Sequence, residues 1–144
     1  MLFSHDGIHD SQTHLASPPY FYEQLGREIS LAARTHKPLA LIKILFENPH
    51  SEQVRAHDIL HFSHELTQLT RKEECIGRLG VNEVVIIIRD GHSNAEQFIQ
   101  RLLESTSLTV DKTLLIKVAK VYGEEDEDSL HLLSRLDRAE LISQ

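Results

Sequence analysis

The sequence has a single cysteine, no long apolar run and few basic residues. Cys75 cannot form an intramolecular disulfide, and no histidine and cysteine pattern has zinc-finger spacing. No apolar run approaches the roughly 20 residues of a membrane-spanning helix, and the N-terminus lacks the order of a signal peptide. Fifteen Lys and Arg against 22 acids give a net charge of −7, which repels nucleic-acid phosphates and anionic lipid. We therefore expect a cytoplasmic protein that binds neither nucleic acid nor a membrane.

The length and composition predict one globular domain. The chain has 144 residues, of which 40% are hydrophobic and 26% are charged, as is usual for a soluble folded domain. Gly7, Pro18 and Pro19 interrupt the first residues and are typical of extended backbone. We therefore expect an extended N-terminal lead-in over residues 1–19 and a folded domain over residues 20–144.

The spacing of apolar residues predicts alternating helices and strands. Helices are expected over residues 20–36, 56–70, 94–104 and 129–142, where apolar residues recur with helical spacing. Ser93 or Asn94 is expected to cap the third helix. Short apolar runs predict strands over residues 39–46, 76–79, 84–88 and 113–121. This order predicts an α/β (α+β) domain with a central mixed sheet between helices.

A short turn containing Gly80 and Asn82 joins two of the predicted strands and indicates a β-hairpin. The segment from Arg78 to Val85, RLGVNEVV, resembles the signature hairpin of the GGDEF (diguanylate cyclase) family, with Gly-Val-Asn-Glu-Val in place of the five signature residues. Other marks of the family occur in order and at similar spacing: Asp10, Thr13, Leu15, Phe21, Leu39–Ile42 and Leu136–Ala139. The resemblance implies a single cyclase-like domain with a sheet of about five strands and the hairpin in its middle.

The resemblance also implies an activity, which this chain is expected to lack. Enzymes of the family join two GTP molecules into cyclic di-GMP across a dimer, and Mg²⁺ ions hold the triphosphates. Where the family has metal-binding carboxylates this chain has Lys43, Leu45 and Asn82, and only Glu83 remains acidic. Val81 replaces the glycine that lets the hairpin approach the phosphates. We therefore predict a catalytically inactive domain without a cofactor.

The family resemblance also points to a second ligand site. Many relatives bind cyclic di-GMP through an R-x-x-D motif whose arginine lies seven residues before the arginine that precedes the hairpin. Arg71 lies seven residues before Arg78, and the motif here ends in Glu74. Arg101 on the following helix is the candidate second arginine, because an arginine fork can bind guanine or phosphate. The alternative is that Arg71 is an exposed side chain in a charged loop.

Three histidines suggest a surface metal site. His57, His61 and His64 have i, i+4 and i+7 spacing, opposite the apolar stripe of their helix. The simpler alternative is a solvated helix face, since no acidic or cysteine ligand clearly completes the set.

The leading hypothesis from the sequence is a regulatory or protein-interaction module in bacterial cyclic di-GMP-related signalling. Its expected partner is another protein, with a second copy of the chain as a further candidate. One alternative is a cyclic di-GMP receptor that uses Arg71. A second is a residual cyclase or GTP-binding domain with new residues around Lys43 and Glu83, in which Lys43 meets a phosphate. A salt bridge from Lys43 to a neighbouring acid is the simpler interpretation of that lysine.

Overall fold

The computed structural model describes residues 4–89, 91–109 and 113–143, and its elements follow the predicted order with one additional strand at the end. They are helix α1 (Pro18–Thr35), strand β1 (Ala40–Glu47), helix α2 (Ala56–Leu69), strands β2 (Cys75–Gly80) and β3 (Glu83–Ile88), helix α3 (Gly91–Glu104), strand β4 (Leu115–Tyr122), helix α4 (Ser129–Arg138) and strand β5 (Ile142–Ser143). Among the helices of these ranges, none is both long and apolar enough to cross a membrane.

The five strands form one sheet in the order β2-β3-β1-β4-β5, and every pairing between them is antiparallel. The predicted sheet of about five strands is confirmed, but the expected mixture of parallel and antiparallel pairs is wrong. Strands β1 and β2 run in the same direction, as do β3 and β4. In this β-α-β-β-α-β arrangement, however, another strand lies between the members of each parallel pair.

Alternating side chains of β1 divide the core into two layers. Ile42 and Ile44 are buried among residues of α2 and α3 on one face of the sheet. Leu41 is buried among residues of α1 and α4 on the other face. Because successive side chains of a strand point to opposite faces, Lys43 shares the face of Leu41. The sheet thereby directs the one charged side chain inside the predicted strand toward α1 and α4.

The N-terminal lead-in ends at Ser17, two residues earlier than predicted because α1 begins at Pro18, and it is attached to the edge of the sheet through Ala16. Ala16 forms a parallel bridge to Gly77, in which its N–H donates to the Ile76 carbonyl and its own carbonyl accepts from the Arg78 N–H, each at 2.9 Å. Leu15 and Ala16 are both buried. The lead-in thus covers part of the edge of β2, where backbone groups would otherwise be unpaired.

The start of α3 differs from the prediction. The helix begins at Gly91, so Ser93 and Asn94 lie inside its first turn instead of at the N-cap. Asn94 Nδ2 donates a hydrogen bond to the carbonyl of Arg89 at 3.1 Å. The expected capping role is therefore wrong, because the helix begins almost directly after β3.

The end of the last helix also differs from the prediction. Helix α4 ends at Arg138, and Ala139 adopts an extended conformation while its N–H donates to the Leu136 carbonyl. The chain then pairs Ile142 with Val118 of β4. The expected helix to residue 142 is wrong because the open edge of β4 offers backbone partners to an extended chain.

Candidate functional site

The hairpin with the family-like motif has a two-residue turn, Val81 and Asn82, between the paired residues Gly80 and Glu83. Neither turn residue is among the described residues with positive φ. Two-residue turns with negative φ match the strand twist poorly, and the pairing shifts register between Arg78 and Gly80. The Val81 side chain is 43% exposed. A branched apolar side chain thus stands at the tip, where the resemblance implies a glycine.

Lys43 lies in the sheet beside the strand that leaves this turn. The register places it opposite Val85 of β3 and Ala119 of β4. Only 8% of Lys43 is exposed, and its Nζ lies 3.6 Å from Oδ1 of Asp137 on α4. The interpretation of Lys43 as the partner of a neighbouring acid is confirmed. Spacing along the chain did not identify Asp137, which only the packing of α4 on the sheet brings to Lys43.

Leu45 and Glu83 complete the cluster on the same face of the sheet. They are paired residues of β1 and β3, so their side chains point to the side that Lys43 occupies. Burial raises the pKa of the Glu83 carboxyl, and the negative charge of Asp137 adds to this rise, whereas the positive charge of Lys43 opposes it. The structure thus brings together three of the positions at which the resemblance implied catalytic groups.

The residues of this cluster do not fit the Mg²⁺ ions that the cyclase family uses. Asn82 offers one neutral oxygen, Oδ1, which is buried and has no hydrogen-bond partner, and Glu83 offers a carboxylate. The Lys43 ammonium stands at the first carboxylate position and repels a cation. At about 4 Å and an effective dielectric constant of about 20, repulsion of a divalent ion amounts to roughly 8 kcal/mol. Over the described residues, no group of three or more His, Cys, Asp or Glu side chains is arranged to hold a metal ion.

Arg78 connects the lead-in to the hairpin turn. Its guanidinium is buried, and Nη1 donates to Asp10 Oδ2 at 3.0 Å and to Gln12 Oε1 at 2.8 Å. Nη2 donates to the Val81 carbonyl at 2.6 Å. Gln12, which lies between the family-like marks Asp10 and Thr13, is therefore a hydrogen-bond acceptor for Arg78. A buried guanidinium has five N–H donors and requires several hydrogen-bond acceptors, and this requirement explains the role of Gln12.

The Arg71-x-x-Glu74 motif forms a closed turn before β2. Glu74 Oε1 accepts the N–H of Arg71 at 2.8 Å, and the Glu74 N–H donates to the Arg71 carbonyl at 3.0 Å. The Arg71 side chain is exposed and makes no hydrogen bond or ion pair with another described residue. Arg101 lies in the last turn of α3, where its guanidinium is 5.7 Å from the ring of Phe98. No hydrogen bond or ion pair in the described part of the chain joins Arg101 to Arg71 or Glu74.

The three histidines of α2 have separate surroundings. His57 and His64 are exposed, whereas His61 Nε2 lies 2.9 Å from the carbonyl oxygen of Ser107, after α3. His61 also lies 4.0 Å from Glu65. The suggested metal site is therefore wrong for the described residues, because the ring that would be its central ligand is directed to a backbone carbonyl.

Several solved structures are similar to this chain over most of its length. A microbial GGDEF domain, described for its interaction with cyclic di-GMP, has a TM-score of 0.78 and 17% identity, with coverage of 91% of this chain and 86% of its own. The GGDEF domain of DgcB from Caulobacter crescentus, in complex with cyclic di-GMP, has a TM-score of 0.78, 12% identity and coverages of 96% and 88%. The FimX GGDEF domain from Pseudomonas aeruginosa has a TM-score of 0.71, 19% identity and coverages of 91% and 90%.

The chain therefore has the GGDEF-domain fold, and the resemblance drawn from its hairpin is confirmed at the level of the fold. No protein-family model and no curated protein sequence matches it.

Proposed function

We propose that the chain is a catalytically inactive GGDEF domain that acts as a regulatory or protein-interaction module in cyclic di-GMP-related signalling. The observation that carries this proposal is the buried lysine at the first metal position. Lys43 forms an ion pair with Asp137 and interacts electrostatically with Glu83, so a side-chain cation already accompanies both acids. A divalent ion at the same place would have to displace an ammonium that the fold keeps buried.

The hairpin tip supports the same proposal. The exposed Val81 side chain occupies space at the turn that a glycine leaves open for phosphate groups. Asn82 carries no charge with which to bind a metal ion. Without the phosphate contacts at the turn and without the metal-binding charge, the transition state of the cyclase reaction loses stabilisation. The expected decrease in reaction rate is many powers of ten.

Proteins of this fold engage both ligands and proteins. The GGDEF domain of DgcB was solved with cyclic di-GMP, and the diguanylate cyclase SiaD from Pseudomonas aeruginosa was solved with its activator SiaC. This chain matches SiaD with a TM-score of 0.76 and 14% identity over 55% of that chain. A protein partner is therefore the class of partner that we propose for the present domain.

Incubation of the purified chain with GTP and either Mg²⁺ or Mn²⁺ tests the absence of catalysis. We expect no cyclic di-GMP by liquid chromatography under conditions in which an active diguanylate cyclase converts all of its GTP. Turnover to cyclic di-GMP that Lys43→Ala changes would refute the proposal. Equal turnover by the wild type and Lys43→Ala would indicate a contaminating enzyme. The assay is then repeated on protein from a host without diguanylate cyclases, where persistent turnover would refute the proposal and its disappearance would support it.

The second candidate function is a cyclic di-GMP receptor, and the accessible Arg71 guanidinium favours it. Two hydrogen bonds between Arg71 and Glu74, one accepted by the Glu74 carboxylate and one between backbone groups, hold the turn in one conformation, which lowers the entropic cost of binding a ligand there. Calorimetry with cyclic di-GMP on the wild type and Arg71→Ala tests it. Absence of heat for the wild type at high ligand concentration would remove this function.

A third candidate, a GTP-binding domain around Lys43 and Glu83, is separated from the other two by thermal shift. Stabilisation by GTP alone would favour it, stabilisation by cyclic di-GMP would favour the receptor, and no shift with either would favour the protein-interaction module.

A further inference from the structure

A groove lies between the C-terminal half of α1 and the loop that precedes α4. It encloses about 390 Å³, which is within the range of roughly 300–1,000 Å³ for ligand-binding clefts. We call it the α1–α4 groove, and its principal lining residues are Ile29, Ala32, Ala33, Leu39, Glu125 and Asp126.

The α1–α4 groove is separate from the hairpin site. It contains Leu39, directly before the first residue of β1. The hairpin turn lies at the other end of β1, where the N–H of Phe46 donates to the Asn82 carbonyl at 3.1 Å. The length of β1 therefore separates the groove from the hairpin turn.

The floor of the groove is lined by apolar residues, and the accessible ones lie on α1. Leu39 and Leu132 are buried at the base, and Ile29 of α1 is half-buried beside them. Ala32 and Ala33, one turn later on α1, have side chains too short to fill the space toward α4. A side chain of leucine size from another molecule would pack against Ile29 and Ala32 and remove their accessible apolar surface from water.

Two of the acids beside the groove are neutralised within the chain. Arg135 donates from Nε and Nη2 to Glu127 at 2.6 and 2.7 Å, and its Nη1 lies 3.4 Å from Glu124. His131 Nδ1 lies 2.5 Å from Glu127. The hydrogen bonds from Arg135, helped by His131, lower the pKa of Glu127 to about 2. Glu124 and Glu127 therefore stabilise the loop and offer little charge to a ligand.

The other two acids of this loop lie between Glu124 and Glu127, are exposed and form no ion pair with a described residue. Glu125 and Asp126 make no hydrogen bond or ion pair with any residue that the structure describes. The C-terminus of α1 ends at the same groove, with His36 at its cap, and a helix C-terminus carries a partial negative charge. The rim thus favours a cation, directly beside the apolar floor.

We propose that the α1–α4 groove binds a basic and apolar peptide segment of a protein partner. An apolar side chain of the segment packs against Ile29 and Ala32, and an adjacent lysine or arginine meets Glu125 and Asp126. This inference rests on the proposed function as a protein-interaction module and assigns a surface and a peptide chemistry to it.

Selection from a display library of random peptides on the full chain tests the proposal. We expect selected peptides to place Lys or Arg next to Leu, Ile or Phe. Labelled copies of these peptides are then titrated by fluorescence anisotropy. The double variant Glu125→Gln and Asp126→Asn is expected to bind on the order of tenfold more weakly, since it loses two exposed ion pairs. Asn tolerates the left-handed backbone at position 126, where φ is 60°.

Two more variants make the test specific. Ala33→Leu places a larger side chain in the groove from an exposed helix position and is expected to abolish binding. The control variant, Glu52→Gln with Glu73→Gln, removes the same charge at exposed positions outside the groove and is expected to bind like the wild type. Circular dichroism verifies that each variant is folded.

The proposal is overturned if no peptide is selected, if the selected peptides lack the basic and apolar pattern, or if the groove variants bind like the control variant. Synthesis of cyclic di-GMP would contradict the inactive domain of the proposed function, whereas failure of peptide binding would contradict only the groove. The two failures are therefore distinguishable.

Discussion

Substitution of Asp10 by asparagine tests whether the buried ion pair with Arg78 holds the lead-in and the hairpin together. Both side chains are inaccessible, with relative exposures of 0% and 1%. Asp10 Oδ2 accepts from Arg78 and also from the N–H and hydroxyl of Thr13, at 2.8 and 2.6 Å. Asparagine preserves the shape of the side chain and removes its charge. The Arg78 guanidinium would then be left buried beside a neutral group.

The expected loss of folding free energy is about 3–5 kcal/mol, the range for removal of one partner from a buried pair. This is a large part of the roughly 5–15 kcal/mol that stabilises a domain. The hydrogen bonds from Thr13 and the Arg78 charge hold the pKa of Asp10 below its usual value although burial opposes them. The contribution of Asp10 is therefore present above about pH 4 and is lost as the pH falls further.

Urea unfolding at neutral pH measures the loss, and a double-mutant cycle isolates the pair. The cycle compares Asp10→Leu, Arg78→Met and the double variant, for which we expect a coupling of about 1 kcal/mol or more. Asp6→Asn is the matched control, because Asp6 accepts hydrogen bonds from the N–H groups of Ile8 and His9 in the same segment but is exposed. A loss below about 1 kcal/mol for Asp10→Asn, or equal losses for Asp6→Asn and Asp10→Asn, would refute the reasoning.

Three other predictions concern the core, the loop before α4 and the lysine site. Gly77→Ala should destabilise the domain by about 1–3 kcal/mol in urea, because the added Cβ would lie within 2.9 Å of the Phe21 Cβ; an unchanged midpoint would contradict this. Between about pH 4.5 and pH 2, the free energy of unfolding should fall less steeply in Glu127→Gln than in the wild type, since the Arg135 guanidinium lowers the pKa of the Glu127 carboxyl to about 2. Equal pH dependence of the unfolding free energy in the two proteins would exclude this effect. Lys43→Met should raise the pKa of Glu83 further in carboxyl NMR, because Lys43 opposes the effect of burial; an unmoved or lowered value would show that the two groups do not interact.

The order of the elements could be predicted from the sequence because helix and strand periodicities are local. Phe21 and Leu25 of α1 repeat with helical spacing and are both fully buried. The short apolar run of β1 is a central strand in spite of Lys43. Arg78 and Glu83 could be recognised as parts of one motif because they lie within a few residues of each other.

The partners of the site residues could not be predicted in the same way. Asp10 and Arg78 are separated by 68 positions along the chain, and no periodicity relates the two; their ion pair depends on the docking of the lead-in along β2. Asp137 reaches Lys43 because α4 packs on the face of the sheet to which Lys43 points. The α1–α4 groove likewise exists because two alanines of α1 face a loop that lies about 90 residues further along the chain.

The sequence by itself determined the order of the main helices and strands and the residue types that stand in the family-like hairpin, because both are properties of residue type and spacing. The tertiary structure alone decided that all strand pairs are antiparallel, that Ile142 and Ser143 pair with β4 as a fifth strand, and that Asp137 of α4 forms an ion pair with the buried Lys43. These outcomes depend on which edges and faces remain open once the other elements have packed, and a linear pattern carries no record of that competition.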